Sequence, residues 1–238
     1  MAFSSAQVTR LVAGPYHYSP TITQWSTGIT IDPLEVTTIN DTAKAFIVGN
    51  DTAALSFSGY TDTDGTAGAF LSSVNTWKST PQPVTVAPSG LAVGSEVVVC
   101  LANESNLTVT SANAAVSGYS FTAQPDGVID IGTSLHALSA ETTSSNSTGV
   151  DGAAATANGG LAQIHVSAYS GLTNIIVLVE HSVDNSTWAT LATFATVTGT
   201  TSERVLVATG TTVRRYLRTK WTVTGTGSCT FTASFARR

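Results

Sequence analysis

Apolar and polar positions alternate with a period of two along most of the chain, the signature of half-buried strands. In the first half this pattern predicts strands at 21–30, 35–38, 45–48, 53–59, 84–87, 96–103, 106–111 and 119–123. Asp32-Pro33, Gly49-Asn50-Asp51 and Asp62-Thr63-Asp64-Gly65 punctuate the early strands as turns. One stretch, 67–76, has a helical period instead, with Ala67, Phe70, Leu71 and Val74 on one face. Asp64 or Thr66 would cap it, and Pro81-Gln82-Pro83 forbids its continuation.

From 139 to 160 the periodicity gives way to Ser, Thr, Asn, Ala and Gly, a composition that cannot bury a core and predicts a linker. A second strand series follows at 162–170, 175–180, 188–196, 204–208, 215–223 and 229–235. Six strands at this spacing predict a small β-sandwich. Its expected interior is 175–179 with Trp188, Phe194, Leu217, Trp221 and Phe231. The expected organisation is therefore mainly β: a domain at 1–137 with one short helix, a linker at 138–151, and a sandwich domain at 152–238.

Composition sharpens this. Charged residues are 11% of the 238 positions, against about 25% in ordinary soluble domains. Thr, at 40 residues, fills the shortfall, and with Val it favours pleated surfaces. A strand-rich chain with so few charges points to a surface covered by further copies of itself. Residues 1–135 carry a net charge of −7 and 136–238 a net charge of +2. The acidic half is unsuited to gripping phosphate backbones. No run reaches the roughly 18 apolar residues of a membrane-spanning helix, and the opening MAFSSAQVTRLVAGPY does not read as a secretory leader. Cys100 and Cys229 match no metal spacing and are expected to be reduced, buried thiols.

Candidate chemistry is sparse. His17, His136, His165 and His181 fall in no catalytic motif; His165 and His181, expected on opposing strands, lack a third metal ligand. Asp62-Thr63-Asp64-Gly65 opens like a calcium loop, but the distal acid is missing. Arg214, Arg215, Arg218 and Lys220 form a basic stripe that reads as a solvated or ion-paired face. Trp188 and Trp221, with Tyr216, offer a candidate sugar-stacking platform. No cofactor and no enzyme is expected from these residues.

The segment Asp32-Pro33-Leu34-Glu35-Val36-Thr37-Thr38, followed by Asn40-Asp41, Lys44, Val48-Gly49-Asn50-Asp51 and Ser58-Gly59-Tyr60, resembles the major tail tube proteins of long-tailed, non-contractile bacteriophages. That family runs a Glu-Val-Thr strand into a loop with an Asp and a basic residue, then an aliphatic-Gly step and a strand ending in Ser-Gly-aromatic. Pro125-Asp126-Gly127-Val128-Ile129-Asp130-Ile131-Gly132 is similar to the last strand of its tube domain. In the second half, His165, Val179 through Trp188, and Arg215-Tyr216-Leu217-Arg218 look like the immunoglobulin-like or lectin-like sandwiches appended to tail proteins.

The resemblance implies a tail-tube-type sandwich or barrel whose stacked hexameric rings form the conduit for genome ejection. It also implies partners: further copies, a tape measure protein, and tail terminator and tip proteins. Viral DNA would pass through without specific binding, in a virion tail assembled in the host cytoplasm, with no membrane involved. Thr38, Asn40, Asp41 and Lys44 are then expected in a ring-stacking loop or hairpin over 37–49, with Asp41 and Lys44 as its opposite charges. Glu35 and Asp51 are the candidates for an acidic lumen. The basic second half is expected on the tube exterior, separable from the ring. The rival expectation is a tail fibre or capsid decoration protein that binds host-surface glycans through Trp188 and Trp221. A polysaccharide-degrading enzyme is the weakest reading, because no carboxylate pair suggests itself.

Overall fold

The computed structural model describes residues 9–31, 33–40, 42–47, 51–61, 77–78, 80–113 and 115–238. The expected helix at 67–76 lies outside them. About two thirds of the described residues are strand, and every pairing between the strands is antiparallel. Fourteen strands join into one folded sheet, and two more form a separate hairpin.

The N-terminal strands are β1 (Arg10–Ala13), β2 (Tyr16–His17), β3 (Ile22–Ile31), β6 (Asp51–Tyr60), β7 (Gln82–Ala87), β8 (Glu96–Thr110) and β9 (Gly118–Pro125). They pair in the order β3-β6-β9-β8-β7-β1-β2. Between β3 and β6 the chain leaves this sheet as an arm carrying β4 (Leu34–Glu35) and β5 (Phe46–Ile47). All six residues of β7 are buried, so alternation serves two interiors. Val84 and Val86 join Leu11, Ala13, Cys100, Phe57 and Phe121 in one core. Ala87 joins Val12, Val97 and Val99 in a second core on the opposite face.

The second core also takes Leu161 and Ala236 from the C-terminal half. These come from β13 (Gly160–Ser182) and β16 (Tyr216–Arg237), which pair along their whole length from Gly160–Arg237 to Ser182–Tyr216. Their register shifts three times between Val166 and Asn174. At that point Gly171 and Gly225 have φ of 73° and 95°, a region that favours glycine. A Cβ on Gly225 would lie 2.7 Å from the Thr173 nitrogen. The bulged ribbon bends there and folds back on itself, as strands do when they pass from one sheet to another. Ala162, Ile164 and Val166 before the bend, and Ile175, Val177 and Val179 after it, thereby enclose a third core with Phe231, Phe235 and Trp221. The outer strands β14 (Trp188–Thr193) and β15 (Thr201–Val207) flank β13 on its two segments.

This architecture corrects the expected division. The break at 137/138 falls inside β10 (Asp130–Glu141), which pairs with β8 through Asp130–Thr133 and with β16 through Thr133–Glu141. The expected linker at 138–151 is stitched to β16 instead. Its β11 (Ser145–Asn146) and β12 (Val150–Asp151) pair with that strand, Ser144 Oγ accepts from the Val223 amide, and Ser147 bonds Thr219. Polar composition argued for a free segment, but Ser and Thr hydroxyls here satisfy backbone groups of the neighbouring strand. The halves are two ends of one sheet sharing a middle core.

A buried polar cluster locks that middle layer. The Nδ1–H of His165 donates to the Gly14 carbonyl at 2.7 Å. Its Nε2 must then accept from Thr85 Oγ1 at 2.8 Å, and Thr85 in turn accepts from Gln163 Nε2 at 2.8 Å. Gln163 and His165 are fully buried. Burial pushes the imidazole pKa down to about 4.

Candidate assembly surface

Among the described residues, exposed large apolar side chains are most concentrated on the arm. Leu34 pairs with Ile47 and Glu35 with Phe46, and Val36 N donates to the Ala45 carbonyl at 2.9 Å. Neither face of this hairpin is covered. Leu34, Phe46 and Ile47 are each about half exposed, and Ile39 at the turn is completely exposed. Five of the fourteen exposed large apolar side chains among the described residues sit on this short segment. A lone two-stranded hairpin is marginal in water, and a cluster of exposed apolar residues marks an interaction site.

The polar side chains of the arm hold its shape. Lys44 Nζ lies 2.9 Å from Glu35 Oε2, with the two side chains 69% and 44% exposed. Thr37 Oγ1 donates to Glu35 Oε1 at 2.9 Å and accepts from Ala45 N. Such an exposed ion pair adds well under about 1 kcal/mol to the monomer. Of the expected stacking residues, Thr38, Asn40 and Lys44 therefore lie together on the arm, and Asp41 lies outside the described residues. Within the chain the partner of Lys44 is Glu35. Glu35, expected on a lumen wall apart from the loop, belongs to the hairpin itself. Asp51 opens β6 opposite Ile31, and its side chain lies outside the described residues.

The sugar platform is not assembled. Trp221 is a core residue at 5% exposure. Its Nε1–H donates to the Thr143 carbonyl at 2.9 Å, and its ring packs edge-on against His136 and Phe231. Trp188 is half-buried, and the Arg218 guanidinium sits over its ring at 4.2 Å. An aromatic face already covered by a cation has no apolar surface to offer a sugar on that side. Arg218 is held there by Glu180, 2.7 Å from its Nη2. Lys220 lies 3.7 Å from the same carboxylate, and Arg215 pairs with Asp151. Three of the stripe's four bases thus contact acids of this chain, two of them sharing one carboxylate.

The histidines are structural. His165 and His181, expected on opposite strands, lie on the single strand β13. His136 stacks on Phe231 with ring centroids 4.0 Å apart, and burial lowers its pKa against the opposing pull of Glu141. No group of three metal-ligating side chains occurs among the described residues. Cys100 and Cys229 are free and buried, and burial pushes their thiols up to about 12 and about 11, far from reactive. The His165–Thr85–Gln163 cluster escaped sequence reasoning, because alternate polar positions on a strand read as the solvent face.

No family model matches the chain, and no curated protein matches it. Among solved structures, it is similar to a chain of the virion of a native gene transfer agent particle, at 9% identity and a TM-score of 0.39, over 47% of this chain and 84% of that one. It is also similar to the Dit protein of phage SPP1, at 10% identity and a TM-score of 0.38, over 97% of this chain and 98% of that one. A chain of the phage p2 baseplate gives 7% identity and a TM-score of 0.39 over the same shares. Likeness at this level assigns no role to any residue.

Proposed function

We propose that the chain is a structural subunit of a bacteriophage tail that assembles with copies of itself, as stacked hexameric rings forming a conduit for the genome. The observation that carries this reading is the arm. Among the described residues, three apolar clusters are sealed in cores, whereas Leu34, Ile39, Phe46 and Ile47 are left uncovered. The segment bearing them is also the one that resembles tail tube proteins. The arm is the contact to the adjoining ring, and Lys44 and Glu35 give that contact direction. The half with net charge −7 faces the lumen, where it repels phosphates. The half with net charge +2 sits outside. A tape measure protein, terminator and tip proteins complete the tail, and no catalytic step is assigned.

The test is assembly. Purified protein at high concentration, alone and seeded with tail initiator complexes, is expected to form rings or tubes of uniform width in negative stain. Deletion of 36–45 should leave a folded monomer that no longer assembles. A wild-type chain that stays monomeric under both conditions overturns the proposal.

A further inference from the structure

A second surface on the chain is concave. Where β10 crosses from the N-terminal strands to the C-terminal ribbon, a groove of about 240 Å³ opens between Glu96 on one wall and Arg237 on the other. Its floor is Leu135, Leu217 and Phe235, each at most 4% exposed, and Ile131 stands at its rim 69% exposed. Small-molecule sites usually occupy about 300–1,000 Å³ and carry several convergent polar groups; this groove is smaller, and its floor is apolar. It is sized for a side chain, the way an interface pocket takes an anchor residue. Arg237 is a fixed wall, because its Nη2 donates to the carbonyls of Arg214 and Arg215 at 2.7 Å.

We propose that this groove receives the arm of a second copy of the chain, with Ile39 as the anchor. The proposal rests on the reading of the chain as a self-assembling subunit and names the surface that the arm meets. Three features select a second copy as the occupant. The same chain exposes an apolar knob with no cover of its own. The arm carries one acid and one base, Glu35 and Lys44, and the groove presents one base and one acid, Arg237 and Glu96, so the exposed Glu35–Lys44 pair can exchange partners across the contact. And knob and groove are formed by different residues of one chain, so their contact is heterologous, the arrangement that builds rings or stacks.

Two measurements test it. Ile39→Cys protein is mixed with Ile131→Cys protein under mild oxidation; the native thiols are buried and leave no background. A disulfide heterodimer, at least tenfold above the dimer in either variant alone, is expected. In parallel, Ile131→Asp, at an exposed position, should weaken association at least tenfold by sedimentation without moving the melting temperature. Ile39→Asp should do the same, and the double variant should be no worse than either. If wild-type protein assembles while Ile131→Asp assembles equally well and no heterodimer forms, the groove is the wrong surface and only self-assembly survives. If both cysteines must lie in one chain to cross-link, the arm folds onto its own groove and the proposal fails. A wild-type chain that never associates overturns this docking together with the proposed function.

Discussion

The arm and the β13–β16 ribbon are built from the same kinds of residue and put them to opposite ends. In the ribbon, alternate positions go to different interiors: Ile164 faces one core, while Gln163 and His165 face the layer shared with β7. In the arm, Leu34 and Ile47 pair across a hairpin and face no interior of their own chain. Both are antiparallel, and both depend on pairing. The ribbon finds its partners within the chain, through β10 and β15. The arm pairs only strand to strand within its own hairpin among the described residues. Paired ribbons thus hold the subunit together, and the apolar hairpin, uncovered among the described residues, is the surface proposed for association.

The largest expected effect separates the two regions outright. A chain ending at Ala137 keeps the arm but loses β13 and β16. That strips β10 of its β16 partner and opens the middle core at Leu161 and Ala236. No cooperative thermal transition is expected by circular dichroism. A folded, two-state truncated chain would show instead that the N-terminal half stands alone and that the shared layer is dispensable.

Acid should probe the ribbon and spare the arm. His165 has a folded pKa of about 4, against about 6.5 unfolded. Because the unfolded state takes up the proton first, this contribution to stability is complete above about pH 6.5 and is lost as pH falls toward 4. It amounts to roughly 3 kcal/mol. Urea unfolding across that range should show the decline, and His165→Gln should flatten it. A wild-type profile that is flat from 6.5 to 4 would mean that the imidazole is not held neutral at the junction.

The smallest effect is the most diagnostic for the arm. Lys44→Ala removes an exposed pair and should change monomer stability by less than about 0.5 kcal/mol, while association measured by light scattering weakens and loses its salt dependence. If the monomer melts several degrees lower instead, the arm belongs to the folded core and the contrast with the ribbon collapses.

Much of this was legible in the residues. The mainly β class followed from alternation and from Thr and Val content. Most of the third core followed from the apolar runs: Ile175, Val177, Val179, Phe194, Leu217, Trp221 and Phe231 are buried where expected. Ile176, which is exposed, and the half-buried Leu178 and Trp188 are the exceptions; the Arg218 guanidinium, paired with Glu180, lies over the Trp188 ring. The arm was legible as a projecting loop or hairpin, since its turns and short strands are local. Strands expected at 35–38 and 45–48 form as Leu34–Glu35 and Phe46–Ile47.

What the sequence determined by itself was whatever depends on neighbours along the chain: strand periodicity, turns, charge imbalance and the scarcity of catalytic groups. Pairing across long separations was decided only by the tertiary structure. A polar stretch such as 139–151 reads as a linker until Thr219, Trp221 and Val223 arrive from some 75 residues later to bond it. His165 and Gln163 read as solvent-facing until Gly14 and Thr85 close over them. Alternation states which side chains share a face. It does not state what that face meets, because the energy of burial is settled by whichever surface covers it.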